Sequence, residues 1–112
     1  MPLNIMVVFG TRPEAIKMAL ICKILKQDKK NFITKICVTA QHREMLDKVL
    51  DTFDLKPDID LNIMKTKQSL SKLSSSIMIS LNNIFKIDKP DLLLVHGDTT
   101  TSFIASLTAF YH

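Results

Sequence analysis

The sequence predicts an α/β fold with a doubly wound parallel sheet, on three observations. Apolar runs of strand length, at Leu3 to Phe9, Phe32 to Thr39 and Leu92 to Val95, alternate with longer segments of helical periodicity. Leu3 to Phe9 is rich in Val and Ile and interrupted only by Asn4, as expected of a strand buried on both faces. The alternation β-α-β-α-β-α-β-α, closed by right-handed crossovers, gives the strand order 3-2-1-4. That order sets the carboxyl ends of strands one and four side by side, at the switch point where open α/β sheets bind ligands. Gly10-Thr11-Arg12 and Gly97-Asp98-Thr99 are therefore expected to line one crevice.

The elements follow in order. Gly10 ends the first strand, and a helix runs from Thr11 to about Lys26. Thr11 can cap it, Pro13 suits its first turn, and Glu14 complements its dipole. Met18, Ile21, Cys22 and Leu25 form one apolar stripe and Ile16, Leu20 and Ile24 another, so this helix is expected to be largely covered. Asp28 to Asn31 is a polar turn into the second strand, centred on Ile36-Cys37-Val38. Gln41 to Phe53 is a helix with Met45, Leu46, Val49, Leu50 and Phe53 on one face. Ile59, Leu61 and Ile63 alternate with polar residues and read as a short, half-exposed edge strand. Ser69 can cap a long helix striped by Leu70, Leu73, Ile77, Leu81 and Ile84. Lys89-Pro90-Asp91 is a turn into the fourth strand. Gly97, a tight turn and the hydroxyls of Thr99, Thr100 and Thr101 then open a last helix.

Composition narrows the function classes. A chain of 112 residues suits one domain with one modest core, and 46% hydrophobic against 23% charged residues is globular. No apolar run approaches a membrane span, and no basic leader precedes the first apolar run, so a cytoplasmic location is expected. Cys22 and Cys37 form no CxxC pair and read as small buried hydrophobes. The formal charge of +4 comes mostly from scattered lysines, with no Trp and one Tyr, which argues for a solvated surface rather than a nucleic-acid platform.

Chemistry concentrates at the two Gly turns. Either Asp98 or Thr99 can cap the last helix, so Asp98 is either only a cap or a reacting acid on a strand-end loop. At the first helix, Arg12 stands at a positive dipole end with Lys17 one turn in. Like charges there are unfavourable unless an anion arrives, so the helix end and the two cations read as a phosphate site. The alternative pairs Arg12 with Glu14 or Asp98. With only two glycines there is no GxGxxG and no GxxxxGK[ST], which argues against a dinucleotide or P-loop nucleotide. His42-x-Glu44 and His96-x-Asp98 lack a third metal ligand. Ser69-x-x-Lys72 lacks its companion motifs. A receiver-like phosphoacceptor role for Asp98 conflicts with Gly10-Thr11-Arg12, where an acidic pair is needed.

Three motifs then carry a resemblance along essentially the whole chain. Phe9-Gly10-Thr11-Arg12-Pro13-Glu14-Ala15-Ile16-Lys17-Met18, Thr39-Ala40-Gln41-His42-Arg43-Glu44-Met45-Leu46, and Pro90-Asp91 through His96-Gly97-Asp98-Thr99-Thr100-Thr101 resemble, in order, motifs of the non-hydrolysing UDP-N-acetylglucosamine 2-epimerases. The resemblance implies the incomplete first, Rossmann-like domain of a glycosyltransferase-B-type fold, over residues 1–112. It implies interconversion of UDP-N-acetylglucosamine and UDP-N-acetylmannosamine by UDP elimination and re-addition, without redox cofactor or metal, in the service of cell-surface polysaccharide synthesis. It places Arg12 and Lys17 at the phosphates and Asp98 among the acid/base carboxylates. It sets Gln41, His42, Glu44, Lys67 and Gln68 at a site for a second, activating substrate molecule, although Glu44 and Lys67 depart from the pattern. It also implies a homodimer. The family's further catalytic glutamates and its UDP-binding second domain have no counterpart, so a fragment inactive alone is expected. The alternative is a non-catalytic module that binds phosphate or a nucleotide sugar.

Overall fold

The structure, a computed structural model, describes residues 1–40, 43–63 and 67–112. Four strands alternate with four helices: β1 (Leu3–Phe9), α1 (Arg12–Gln27), β2 (Phe32–Val38), α2 (Arg43–Thr52), β3 (Ile59–Asp60), α3 (Leu70–Ile87), β4 (Leu92–Leu94) and α4 (Thr100–Tyr111). The strands form one parallel sheet in the order β3-β2-β1-β4, as the alternation predicts. Val7 of the central strand pairs with Ile36 on one side and with Leu94 on the other.

Both faces of β1 are covered, which explains its unbroken apolar run. Ile5, Val7 and Phe9 pack with Ala15, Met18 and Cys22 of α1 and Leu46, Val49 and Leu50 of α2. Met6 and Val8 point the other way and meet Leu73, Ile77, Leu81 and Phe85 of α3 and Ile104 and Ala105 of α4. The period of two along a strand thus feeds two cores. Asp91 fixes β4 against β1: its amide donates to the Asn4 carbonyl, and its Oδ2 accepts from the Asn4 amide, both at 2.8 Å. The predicted cap of α3 is present, with Ser69 Oγ accepting from the Lys72 amide at 3.1 Å.

Three expectations are corrected. The second stripe of α1 is not covered: Ile16, Leu20 and Ile24 are 44%, 63% and 58% exposed. Helical spacing shows that residues share a face, and α2 reaches only one of the two faces of α1. Met45 and Leu70, at the ends of their stripes, are also exposed. The edge strand is only two residues long, because Asn62 adopts a left-handed φ of 48° and turns the chain out of the sheet. Ile63 is still buried beyond that turn, its amide donating to the Thr39 carbonyl at 3.2 Å. Among the described residues, no helix is long and apolar enough to cross a membrane.

Candidate functional site at the ends of strands one and four

The loops after β1 and β4 meet at the carboxyl edge of the sheet, because these strands are direct neighbours. Gly97 makes the second loop possible: its φ of 80° lies where side-chain-bearing residues are strained. Thr99 resolves the choice of cap, since its Oγ1 accepts from the Ser102 amide at 3.2 Å. Asp98 is therefore free of capping duty, and it is exposed with no hydrogen-bond or ion-pair partner among the described residues.

The residue between the two loops is Glu14, expected from the sequence to complement the dipole of α1 or to pair with Arg12. It is 2% exposed. Its Oε1 accepts from the Thr11 hydroxyl at 2.8 Å, the Thr11 amide at 3.0 Å and the Gly10 amide at 3.3 Å. Its Oε2 accepts from the Thr99 hydroxyl at 2.9 Å and lies 3.1 Å from Ser102 Oγ. The Ser102 hydroxyl also reaches the His96 carbonyl. The spacing Thr11-x-x-Glu14 is that of a capping box and is visible in the sequence. The second pair of partners, 85 and 88 positions away, is not.

This arrangement changes how an anion would be held at α1. The amides of Gly10 and Thr11 are already occupied by Glu14, and Pro13 has no N–H. Of the amides from Gly10 to Pro13 that leaves the N–H of Arg12, so recognition at this helix end rests on that amide and on side chains. Arg12 and Lys17 are both exposed, and neither has a hydrogen-bond or ion-pair partner among the described residues. The pairing of Arg12 with Glu14 or Asp98 does not occur.

Around the two adjacent loops the described residues line two hollows. Arg12 lines a cleft between α1 and α2 with Ile16, Met45, Lys48, Val49 and Phe53. Asp98 lines a separate depression with Val95, Gly97, Ser102 and Phe103. The loops are adjacent, but the two side chains open onto different hollows.

Three of the five residues assigned to a second substrate molecule are among the described residues. Gln41 and His42 lie outside the described residues. Glu44 is exposed in the first turn of α2. Lys67 is exposed at a left-handed φ of 60°, and Gln68 is half-buried with its Oε1 unpartnered among the described residues. No hydrogen bond or ion pair among the described residues joins these three. A neighbouring residue that the sequence reading passed over is better fixed. Arg43 Nη2 donates to Asp60 Oδ1 and Oδ2 at 2.8 and 2.9 Å and to Asn62 Oδ1 at 2.9 Å. These bonds tie the start of α2 to the end of β3, and the hydrogen bond to Asp60 raises the guanidinium pKa.

A doubly wound parallel sheet with two cations in the first turns of one switch-point helix and an acid on the neighbouring loop, none of them partnered among the described residues, defines an α/β protein suited to an anionic small molecule. Comparison with known proteins narrows the class. The family described as UDP-N-acetylglucosamine 2-epimerase matches residues 6–112, and the chain belongs to that family. It is 58% identical over 110 residues to the UDP-N-acetylglucosamine 2-epimerase of Neisseria meningitidis, covering 97% of this chain and 29% of that protein. It is 56% identical over 112 residues to the Bacillus subtilis enzyme of the same name, covering 98% of this chain and 29% of that protein. The crystal structure of the Neisseria meningitidis enzyme bound to UDP-GlcNAc superposes with a TM-score of 0.91 over 97% of this chain, at 54% identity. The chain thus spans about 29% of the length of these relatives.

Proposed function

We propose that these 112 residues form the N-terminal, Rossmann-like domain of a UDP-N-acetylglucosamine 2-epimerase. In this reading the complete enzyme interconverts UDP-N-acetylglucosamine and UDP-N-acetylmannosamine in the cytoplasm, for cell-surface polysaccharide synthesis. Arg12 and Lys17 hold the phosphates or the departing UDP. Asp98 is one of the acid/base carboxylates at the sugar. A base removes the C2 proton, the C1–O bond to UDP breaks, and a 2-acetamidoglucal remains. UDP then adds back at C1 while an acid protonates C2 from the opposite face. One carboxylate does not reach both faces, so Asp98 needs partners outside this chain. The second, UDP-binding domain likewise lies in the part of the relatives that this chain does not span. The exposed apolar residues of α1 and α4 support association of copies as a homodimer.

The observation that carries the reading is the Gly97 turn, where Thr99 takes over the cap and leaves Asp98 unpartnered beside the loop of Arg12. The separate hollows of Arg12 and Asp98 favour a second reading for the isolated chain: a module that binds UDP or phosphate without turnover. An epimerisation assay on the 112-residue chain, with a UDP titration beside it, tests both. The expected result is weak UDP binding and no conversion. Conversion by the chain alone would overturn the need for further carboxylates, and absence of UDP binding would overturn the assigned roles of Arg12 and Lys17.

A further inference from the structure

We propose that Glu14 is a positioning residue of the nucleotide-sugar site, whose buried carboxyl group sets the loop carrying Arg12 against the loop carrying Asp98. The proposal rests on the reading of Arg12 and Asp98 as site residues. A capping box alone needs only the local half of the contacts made by Glu14, those from Thr11 to Oε1. A carboxyl group with that single duty stands at the surface, where water meets its other oxygen. Glu14 is instead buried, and burial of a carboxyl group is unfavourable unless both oxygens are hydrogen-bonded. The partners of Oε2 are the hydroxyls of Thr99 and Ser102, on the first turn of α4.

A buried hydroxyl pair, Thr39 and Thr101 at 3.1 Å, also fixes the first turn of α4, but the loop before it makes few other contacts among the described residues. A methyl group placed on Gly97 would meet nothing within 4 Å, and His96, Gly97 and Asp98 are all exposed. The contacts that locate this turn come from below. Ser102 Oγ bridges the region of Glu14 and the His96 carbonyl, and Thr99 Oγ1 joins Glu14 while capping α4. Fixing register between elements is the best-attested use of a buried polar group. Here the elements are two strand-end loops, each bearing one unpartnered charged side chain.

The obvious variant, Glu14→Ala, also removes the cap of α1 and risks unfolding. The informative variants lie on the other side of the contact. Thr99→Asp keeps an oxygen that caps α4 but sets a like charge against Glu14. Thr99→Ser keeps both the cap and the hydroxyl donor. The readout is the backbone order parameter from ¹⁵N relaxation on the 112-residue chain, at Gly97 and Asp98, with Val7 and Ile36 as core references. In the parent and in Thr99→Ser, all four are expected near the rigid value of about 0.85. In Thr99→Asp, Gly97 and Asp98 are expected to fall below about 0.6 while Val7 and Ile36 stay rigid. Three results would overturn the proposal: an unchanged loop in Thr99→Asp, simultaneous loosening of all four amides, or a parent loop already mobile. A UDP titration followed by amide shifts separates this outcome from the functional reading. UDP is expected to shift the Thr11–Arg12 and Asp98–Thr99 amides with one Kd in the parent, and only the former pair in Thr99→Asp. If UDP shifts no amide in the parent, the nucleotide-sugar reading fails, while the order parameters still decide whether Glu14 holds the loops.

Discussion

Arg12→Ala is expected to abolish measurable UDP binding by this chain without changing its stability. A phosphate arriving at the start of α1 has five candidate donors: the amides of Gly10, Thr11 and Arg12, the Arg12 guanidinium and the Lys17 ammonium. The amides of Gly10 and Thr11 lie 3.3 and 3.0 Å from Glu14 Oε1 and are already engaged, which leaves one backbone donor. The guanidinium is therefore the principal donor, and its fork matches two phosphate oxygens. A hydrogen bond to a charged group contributes about 1.5–3 kcal/mol, and the exposure of Arg12 favours the lower end. That corresponds to a loss of roughly ten- to 150-fold in affinity. For these 112 residues alone, the Kd is expected on the order of millimolar, about −4 kcal/mol. The variant then falls at or beyond ~10 mM, outside a ³¹P or amide-shift titration. Arg12→Lys keeps the charge and loses the fork, so an intermediate, more salt-sensitive affinity is expected. Since Arg12 has no partner among the described residues, its removal should alter unfolding free energy by no more than ~0.5 kcal/mol. A variant Kd within twofold of the parent would refute the reasoning, and would return phosphate recognition to backbone amides.

Other outcomes follow from the packing. Leu81→Ala, at a fully buried site on α3, should cost about 2–5 kcal/mol in denaturant unfolding, because the sheet and α4 enclose the cavity; a cost below 1 kcal/mol would show that the site collapses. Glu14→Ala should cost about 2–4 kcal/mol by orphaning donors on both loops, and a near-neutral result would mean that water replaces the carboxyl group. Burial pushes the Cys22 thiol up to about 11 and Cys37 to about 12, so both should resist iodoacetamide at pH 8 in the folded chain and react on unfolding. Because the folded thiols hold their protons longer than the unfolded ones, they contribute stability that declines as pH rises from about 9 towards 11 and 12; rising stability in that window would contradict the assignment. Phe103 and Phe110, 64% and 84% exposed on α4, together with the open stripe of α1, should make sedimentation concentration-dependent, and a strictly monomeric species at high concentration would count against this.

Much of the architecture was legible in the sequence, and the reason is visible in β1. A strand flanked by neighbours on both edges and helices on both faces needs an apolar residue at nearly every position, so Leu3 to Phe9 announced both its type and its central place. The strand order followed from the β-α alternation read as a doubly wound sheet with right-handed crossovers. Legibility failed where a property depends on what arrives from elsewhere. Ile16, Leu20 and Ile24 share a face by spacing, but spacing is silent on whether anything covers it. The end of β3 turned on one left-handed residue, Asn62, a conformation that Asn tolerates without demanding it. Arg43 looked like one more surface cation until the fold brought Asp60 and Asn62 to it.

The candidate site shows the same limit at the level of chemistry. Glu14 and Asp98 are both carboxylic acids beside a Gly turn at the start of a helix, and composition does not separate them. Their surroundings do. The neighbour of Glu14 three positions back is a threonine that donates to it, and the Thr99 hydroxyl donates to its second oxygen, so both oxygens are held by the protein. Asp98 is followed by a threonine that takes the capping role from it, and it is exposed with no donor to it among the described residues. A carboxyl group held by at least four donors, with Ser102 Oγ beside it, is suited to fixing a geometry. One with none is available to a substrate. The division of labour is set by Thr99, which both closes the network on Glu14 and releases Asp98. A single hydroxyl position thus links the stability of the turn to the availability of the acid.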